Sequence, residues 1–150
     1  MTPGIRSVNV RASNLAIVTN TVLATLGLAV PCGAGSRHHI RWWIPFTEAA
    51  GVAGIKAQLI APAAISSFLM TFFITNLVAT HIATDNAGLQ TASASFTGTG
   101  ANAGNYLMVV EAQLINGVNA GSFDLQVSQG VSDAGATTIL AGAYVEDVVF

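Results

Sequence analysis

Between Arg37 and Phe46 the chain alternates strictly, with His38, Ile40, Trp42, Ile44 and Phe46 in one row and Arg37, His39, Arg41, Trp43 and Pro45 in the other. A β-strand turns successive side chains to opposite sides, so the first row predicts a core-facing surface. The second row sets two arginines, a histidine and a tryptophan side by side. Trp and Arg dominate the energetics of protein contacts, and the row fits a docking surface. It equally fits a solvated sheet on which Trp43 lies along the aliphatic stems of its arginine neighbours.

The same period of two recurs along the chain. Val22, Ala24, Leu26, Leu28 and Val30 alternate with Thr21, Leu23, Thr25, Gly27 and Ala29, predicting a strand over 22–30. Before it, Ile5 to Val10 and Leu15 to Thr19 are short β-compatible pieces, read as an N-terminal arm (residues 1–20) that packs on its own domain or on a neighbouring subunit. Ile55 to Leu59 and Ser66 to Leu77 follow, the second carrying Phe68, Met70, Phe72 and Ile74 on one face. Val78 to Gly88 reads as the longest connection, and Leu89 to Thr97 as a weak edge strand. Tyr106 to Ile115 is apolar on both faces, which places it centrally or at an interface. Phe123 to Ser128 is half-exposed, and Thr137 to Phe150 is the final strand. No segment has helical spacing, and turn residues separate the runs. The expected fold is all-β, an eight-stranded two-sheet jelly roll over residues 21–150.

Composition sharpens this picture. Only 8% of the 150 residues are charged while 52% are hydrophobic, and the formal net charge is −2. Soluble domains average about 25% charged residues, so so sparse a charge leaves the surface poorly protected against self-association. Five basic residues cannot supply the clustered cations that phosphate binding needs, and no nucleic-acid partner is expected. The run from Ala12 to Val30 is broken by Asn14, Thr19, Asn20, Thr21 and Thr25, too polar for a signal peptide or a membrane span. Cys32 is the single cysteine and reads as a small buried hydrophobe.

Candidate chemistry is thin. His38 and His39 are adjacent on a strand and point to opposite faces, so they do not share a metal ion, and no cofactor is expected. Gly98, Gly100 and Gly104 lead into a strand rather than a helix, which removes a phosphate loop. His81 and Asp85 are half of a triad without a nucleophile elbow, and Glu146 and Asp147 face opposite ways. An enzyme is not expected. The residues expected at contacts are Arg6, Arg11, Arg37, His39, Arg41, Trp43, Tyr106, Tyr144 and Phe150.

One resemblance rests on an order of strands and turns. The apolar run 22–30, a Gly and a His leading to Trp43-Ile44-Pro45-Phe46, the strand Asn105-Tyr106-Leu107-Met108-Val109-Val110, the Asn116-Gly117 hairpin, Phe123-Asp124-Leu125-Gln126-Val127-Ser128-Gln129 and the terminal Val148-Val149-Phe150 carry it. Over residues 21–150 the chain resembles the TNF-like jelly-roll virion proteins of tailed bacteriophages. The resemblance implies a homotrimer on the capsid surface, a decoration or cement protein bound to the major capsid protein. It also admits a trimeric tail or fibre tip that binds a receptor or glycan, although the loops here offer no exposed aromatic for such a site.

Overall fold

Thirteen strands and no helix are found among the residues that the computed structural model describes, which are 5–19, 21–49, 54–62, 66–76, 81–90, 94–98 and 103–150. In chain order they are β1 (Ile5–Val10), β2 (Leu15–Ile17), β3 (Ala24–Thr25), β4 (Val30–Cys32), β5 (Arg37–Glu48), β6 (Ile55–Ile60), β7 (Ser67–Asn76), β8 (His81–Gln90), β9 (Ala94–Gly98), β10 (Gly104–Ile115), β11 (Gly121–Gln129), β12 (Thr137–Ile139) and β13 (Tyr144–Val149).

They form two antiparallel sheets. The larger has the order β1-β13-β5-β10-β7-β8, with β12 pairing both β5 and β2 at one end. The smaller runs β3-β11-β6-β9, with β4 also on β11. The chain passes from one sheet to the other at β2 to β3, β4 to β5, β5 to β6, β6 to β7, β8 to β9, β9 to β10, β10 to β11 and β11 to β12, the winding of a jelly-roll sandwich.

Strict alternation decides what lies between the sheets. Ile40, Trp42, Ile44 and Phe46 of β5 are fully buried, facing Leu59 of β6 and Phe123, Leu125 and Val127 of β11. Trp42 meets Phe123 at 5.9 Å between ring centroids, and Phe68 of β7 meets the same ring edge-on at 5.3 Å. Trp42 can be buried because its indole N–H donates to the Leu28 carbonyl at 3.1 Å, leaving no orphan donor in the core.

Several boundaries differ from those that alternation suggests. The 22–30 run is two short strands, because Gly27 takes a left-handed φ of 68° that breaks the ladder. Leu26, Leu28 and Val30 keep the expected buried row, while Val22 is 71% exposed. The 137–150 run is also divided, at Gly142 with φ 88°. The expected connection over 78–88 contains strand β8, whose backbone pairs with β7 despite its Asp and Asn residues, so ladder pairing overrides local propensity. The turn at 98–104 falls mostly outside the described residues, as do Ala92 of the predicted edge row and the Arg6 side chain.

Candidate functional site: the outer face of the large sheet

Register builds this surface row by row. Trp43 lies between Tyr144 of β13 and Val109 of β10, with Val10 of β1 beyond one and Phe73 of β7 beyond the other. The next row sets Val8, Glu146, Arg41, Glu111 and Thr71 side by side, and the one after it places Val148, His39, Gln113 and Leu69. The face therefore carries one apolar row across five strands beside a charged and polar seam that is flanked by Val8, Val148 and Leu69. Val109 points outward yet is only 2% exposed, covered by its larger neighbours.

Trp43 and Tyr144 stack with centroids 6.2 Å apart and planes 16° from parallel, and the Arg41 guanidinium sits 5.9 Å from the indole centre. The Arg41 guanidinium thus lies over the tryptophan, and the patch stays partly open. The indole N–H is buried and has no acceptor among the described residues.

The seam's charges pair with one another. Glu111 accepts from His39 Nε2 at 2.5 Å and from Arg41 at 3.0 Å. Burial pushes the Glu111 carboxyl up, but those two partners outweigh it and hold it below the usual carboxylate range. A groove of about 330 Å³ opens at one end of the face, between Arg37, Leu69, Gln113, Ile115 and Phe150. Phe150 is 68% exposed there.

The outer face of the small sheet is different. Its half-buried residues include Lys56, Gln58 and Ile60 of β6 and Asp124 and Gln126 of β11, polar but for Ile60, and Asp124 accepts a hydrogen bond from Thr25 at 3.2 Å. One sheet is finished for water and the other is not.

Two expected contact residues lie elsewhere. Tyr106 is on the inner row, stacked on Phe46 at 5.2 Å, because its register partner in β5 faces the core. Arg11 is spent within the chain: its guanidinium donates to the Leu26 carbonyl and its backbone pairs with Ala143 and Gly142. It staples the N-terminal segment to its own sandwich. Arg37, His39, Arg41, Trp43, Tyr144 and Phe150 do share the outer face, and the Arg6 backbone pairs opposite Val148 at its margin.

A buried polar array went unseen in the chain pattern. His38, on the inner row of β5, places Nδ1 at 2.9 and 3.0 Å from the Asp147 carboxylate oxygens of β13, and Nε2 at 2.7 Å from Ser36 Oγ. The connectivity is that of a hydrolytic triad, but the proton inventory is not. Ser36 has one hydroxyl proton, and the Gly33 carbonyl 2.6 Å away can only accept it, so His38 Nε2–H must donate to Ser36. A base must take the serine proton, and here it gives one. The amides close by are also engaged: Gly35 with Gly117, Asn116 with Ser36, and Gly117 with its neighbour's side chain. No oxyanion donor is left among them. The array is a structural tie between β5, β13 and the 33–36 turn. Cys32 lies beside it, and burial, then the charge of Asp147, pushes its thiol up to about 11, which makes it unreactive.

Neither a family model nor a curated protein sequence matches the chain. Among solved structures it is similar to that of infectious bursal disease virus, Gx strain, at TM-score 0.27 and 11% identity, covering 97% of this chain and 40% of that one. The VP2 subviral particle of the same virus gives TM-score 0.25 and 12% identity, covering 98% and 41%. The chain spans about two fifths of the length of these virus-particle chains. At such scores the likeness assigns neither topology nor role.

Proposed function

We propose that the chain is a structural virion protein: a homotrimer that sits on the capsid surface of a tailed bacteriophage, binds the major capsid protein and cements the head lattice. The observation that carries this reading is the contrast between the two outer faces. Five strands spaced about 4.8 Å and averaging roughly nine residues in length, at about 3.3 Å per residue, make a face on the order of 700 Å², close to the ~800 Å² per partner of a stable interface. Within the seam Glu111 is paired with His39 and Arg41, so burial against another copy does not leave that carboxylate unpaired. Sparse charge and the resemblance to phage virion proteins support the same reading, and three linked contacts per trimer let individually weak capsid contacts act together.

Light scattering over a dilution series tests the assembly first. A mass near three chains is expected, and a monomer at every concentration overturns the trimer. On empty phage heads, Trp43→Ala and deletion of residues 2–12 should each lower occupancy, and full occupancy by both variants overturns the capsid role.

A further inference from the structure

Glu48 is the last residue of β5, and alternation turns it inward. It is 3% exposed, and among the described residues neither carboxylate oxygen has a well-formed hydrogen bond, the Gly54 amide being only near enough to pull on it. Across the ladder it faces Thr137 of β12, which is fully buried with its hydroxyl also unpartnered. Directly opposed residues of an antiparallel pair hold their Cβ atoms about 4.5–5.5 Å apart, so the two groups are within reach of one another. The same Thr137 lies opposite Ile17, the buried end of β2. Glu48, Thr137 and Ile17 thus form one inward row, and β12 is the strand through which β2 joins the large sheet.

We propose that Glu48 is a proton-operated latch on the N-terminal strand: neutral Glu48 holds β12 and β2 in place, and ionised Glu48 lets them loosen. The neutral acid has a proton to give the Thr137 oxygen and an oxygen to accept the Thr137 hydroxyl; the carboxylate can only accept. An ion buried without a counter-charge draws in water, and the thin edge formed by β12 and β2 is the nearest place to open. No cation is at hand. Residues 49–54, β2 and β12 contain no titratable side chain. The titratable groups on the other surrounding elements are Tyr106 on β10, Lys56 on β6 between the buried Ile55 and Ala57, and Asp133 before β12, and none hydrogen-bonds Glu48. Burial raises the carboxyl to about 7, against the pull of the Gly54 amide. The latch deepens the proposed virion role, since it governs the segment expected to reach neighbouring subunits, but its test needs no capsid.

The test is amide hydrogen exchange at Ile17 and Thr137, whose N–H groups lie in the β2–β12 ladder, in the full chain, expressed as protection factors, across about two pH units either side of neutrality. Protection should fall at least about tenfold as pH rises through Glu48's midpoint. In Glu48→Gln, which stays neutral, it should remain high and flat. The ¹³Cδ signal of Glu48 in the unmodified protein supplies a second reading that needs no variant, and it should titrate together with the exchange step. A Glu48 signal that titrates in the ordinary carboxylate range, or protection that is flat across that signal's step, overturns the latch. Failure of capsid binding alone would touch only the virion reading.

Discussion

Replacing Trp43 by alanine separates what the outer face does for one chain from what it does between chains. Within the chain the indole contributes its stack on Tyr144 and its place under Arg41. An aromatic pair is worth about 0.5–1.5 kcal/mol beyond burial, and a half-open cation–π contact about 0.5–1 kcal/mol. The unsatisfied indole N–H returns part of this, and uncovering Val109 takes some away. The expected folding cost is about 2 kcal/mol, which urea denaturation measures. In the proposed trimer the same side chain would sit in the middle of the contact, where a central tryptophan costs about 2–4 kcal/mol per subunit on truncation. Three subunits lose that contact together, so light scattering should find the variant monomeric at concentrations where the unmodified protein is fully assembled. A variant that dissociates at the unmodified concentration, with the expected folding cost in place, would refute the assignment of this face to self-contact.

Three further outcomes follow from the buried and paired groups. Asp147→Ala removes the carboxylate from buried His38 Nδ1 while Ser36 stays on Nε2, and Ser36→Ala removes the acceptor of Nε2–H; each leaves one buried imidazole nitrogen unsatisfied and should cost about 1–3 kcal/mol in denaturant unfolding. Glu48 has a folded midpoint above its ordinary 4.5, so its contribution is fully present below that value and is lost as pH rises to about 7. The loss amounts to about 3 kcal/mol in unfolding free energy, and Glu48→Gln should flatten that slope. Glu111 runs the other way: its lowered midpoint stabilises the fold above the usual carboxylate range and is lost on acidification, so Glu111→Gln should weaken the protein at neutral pH more than in acid.

Much of the sandwich was legible because β5, β7, β10 and β11 bury one face each, and a half-buried strand must alternate. His38 through Phe46 needed nothing more than a period of two. Breaks in the pattern were harder. Gly27 and Gly142 interrupt apolar rows without altering their hydrophobicity, and only a left-handed φ reveals the corner. Strand β8 owes its ladder to β7, a partner that its own Asp85 and Asn86 do not announce. Tyr106 could have been placed from its row alone, since Met108, Val110 and Ala112 stand beside it on the inward side. The His38–Asp147 tie had a signal as well: each is a polar residue in an otherwise core-facing row, and two such residues must find a partner inside. What the pattern could not supply was that they would find each other across 109 positions.

Strand β5 is flanked by β10 on one side and β13 on the other, and β13 in turn carries β1. During synthesis β5 emerges early; β10 follows only after β6 and β9 of the small sheet, and β13 only after β11 as well. The apolar inner row of Ile40, Trp42, Ile44 and Phe46 must therefore wait on the ribosome with its ladder open, a stretch of time in which misassembly competes with closure. Nascent chains stopped before Tyr144 should engage chaperones and precipitate when released, while chains carried through Val149 should snap shut. For such a topology, yield in the cell is set by how long that wait lasts.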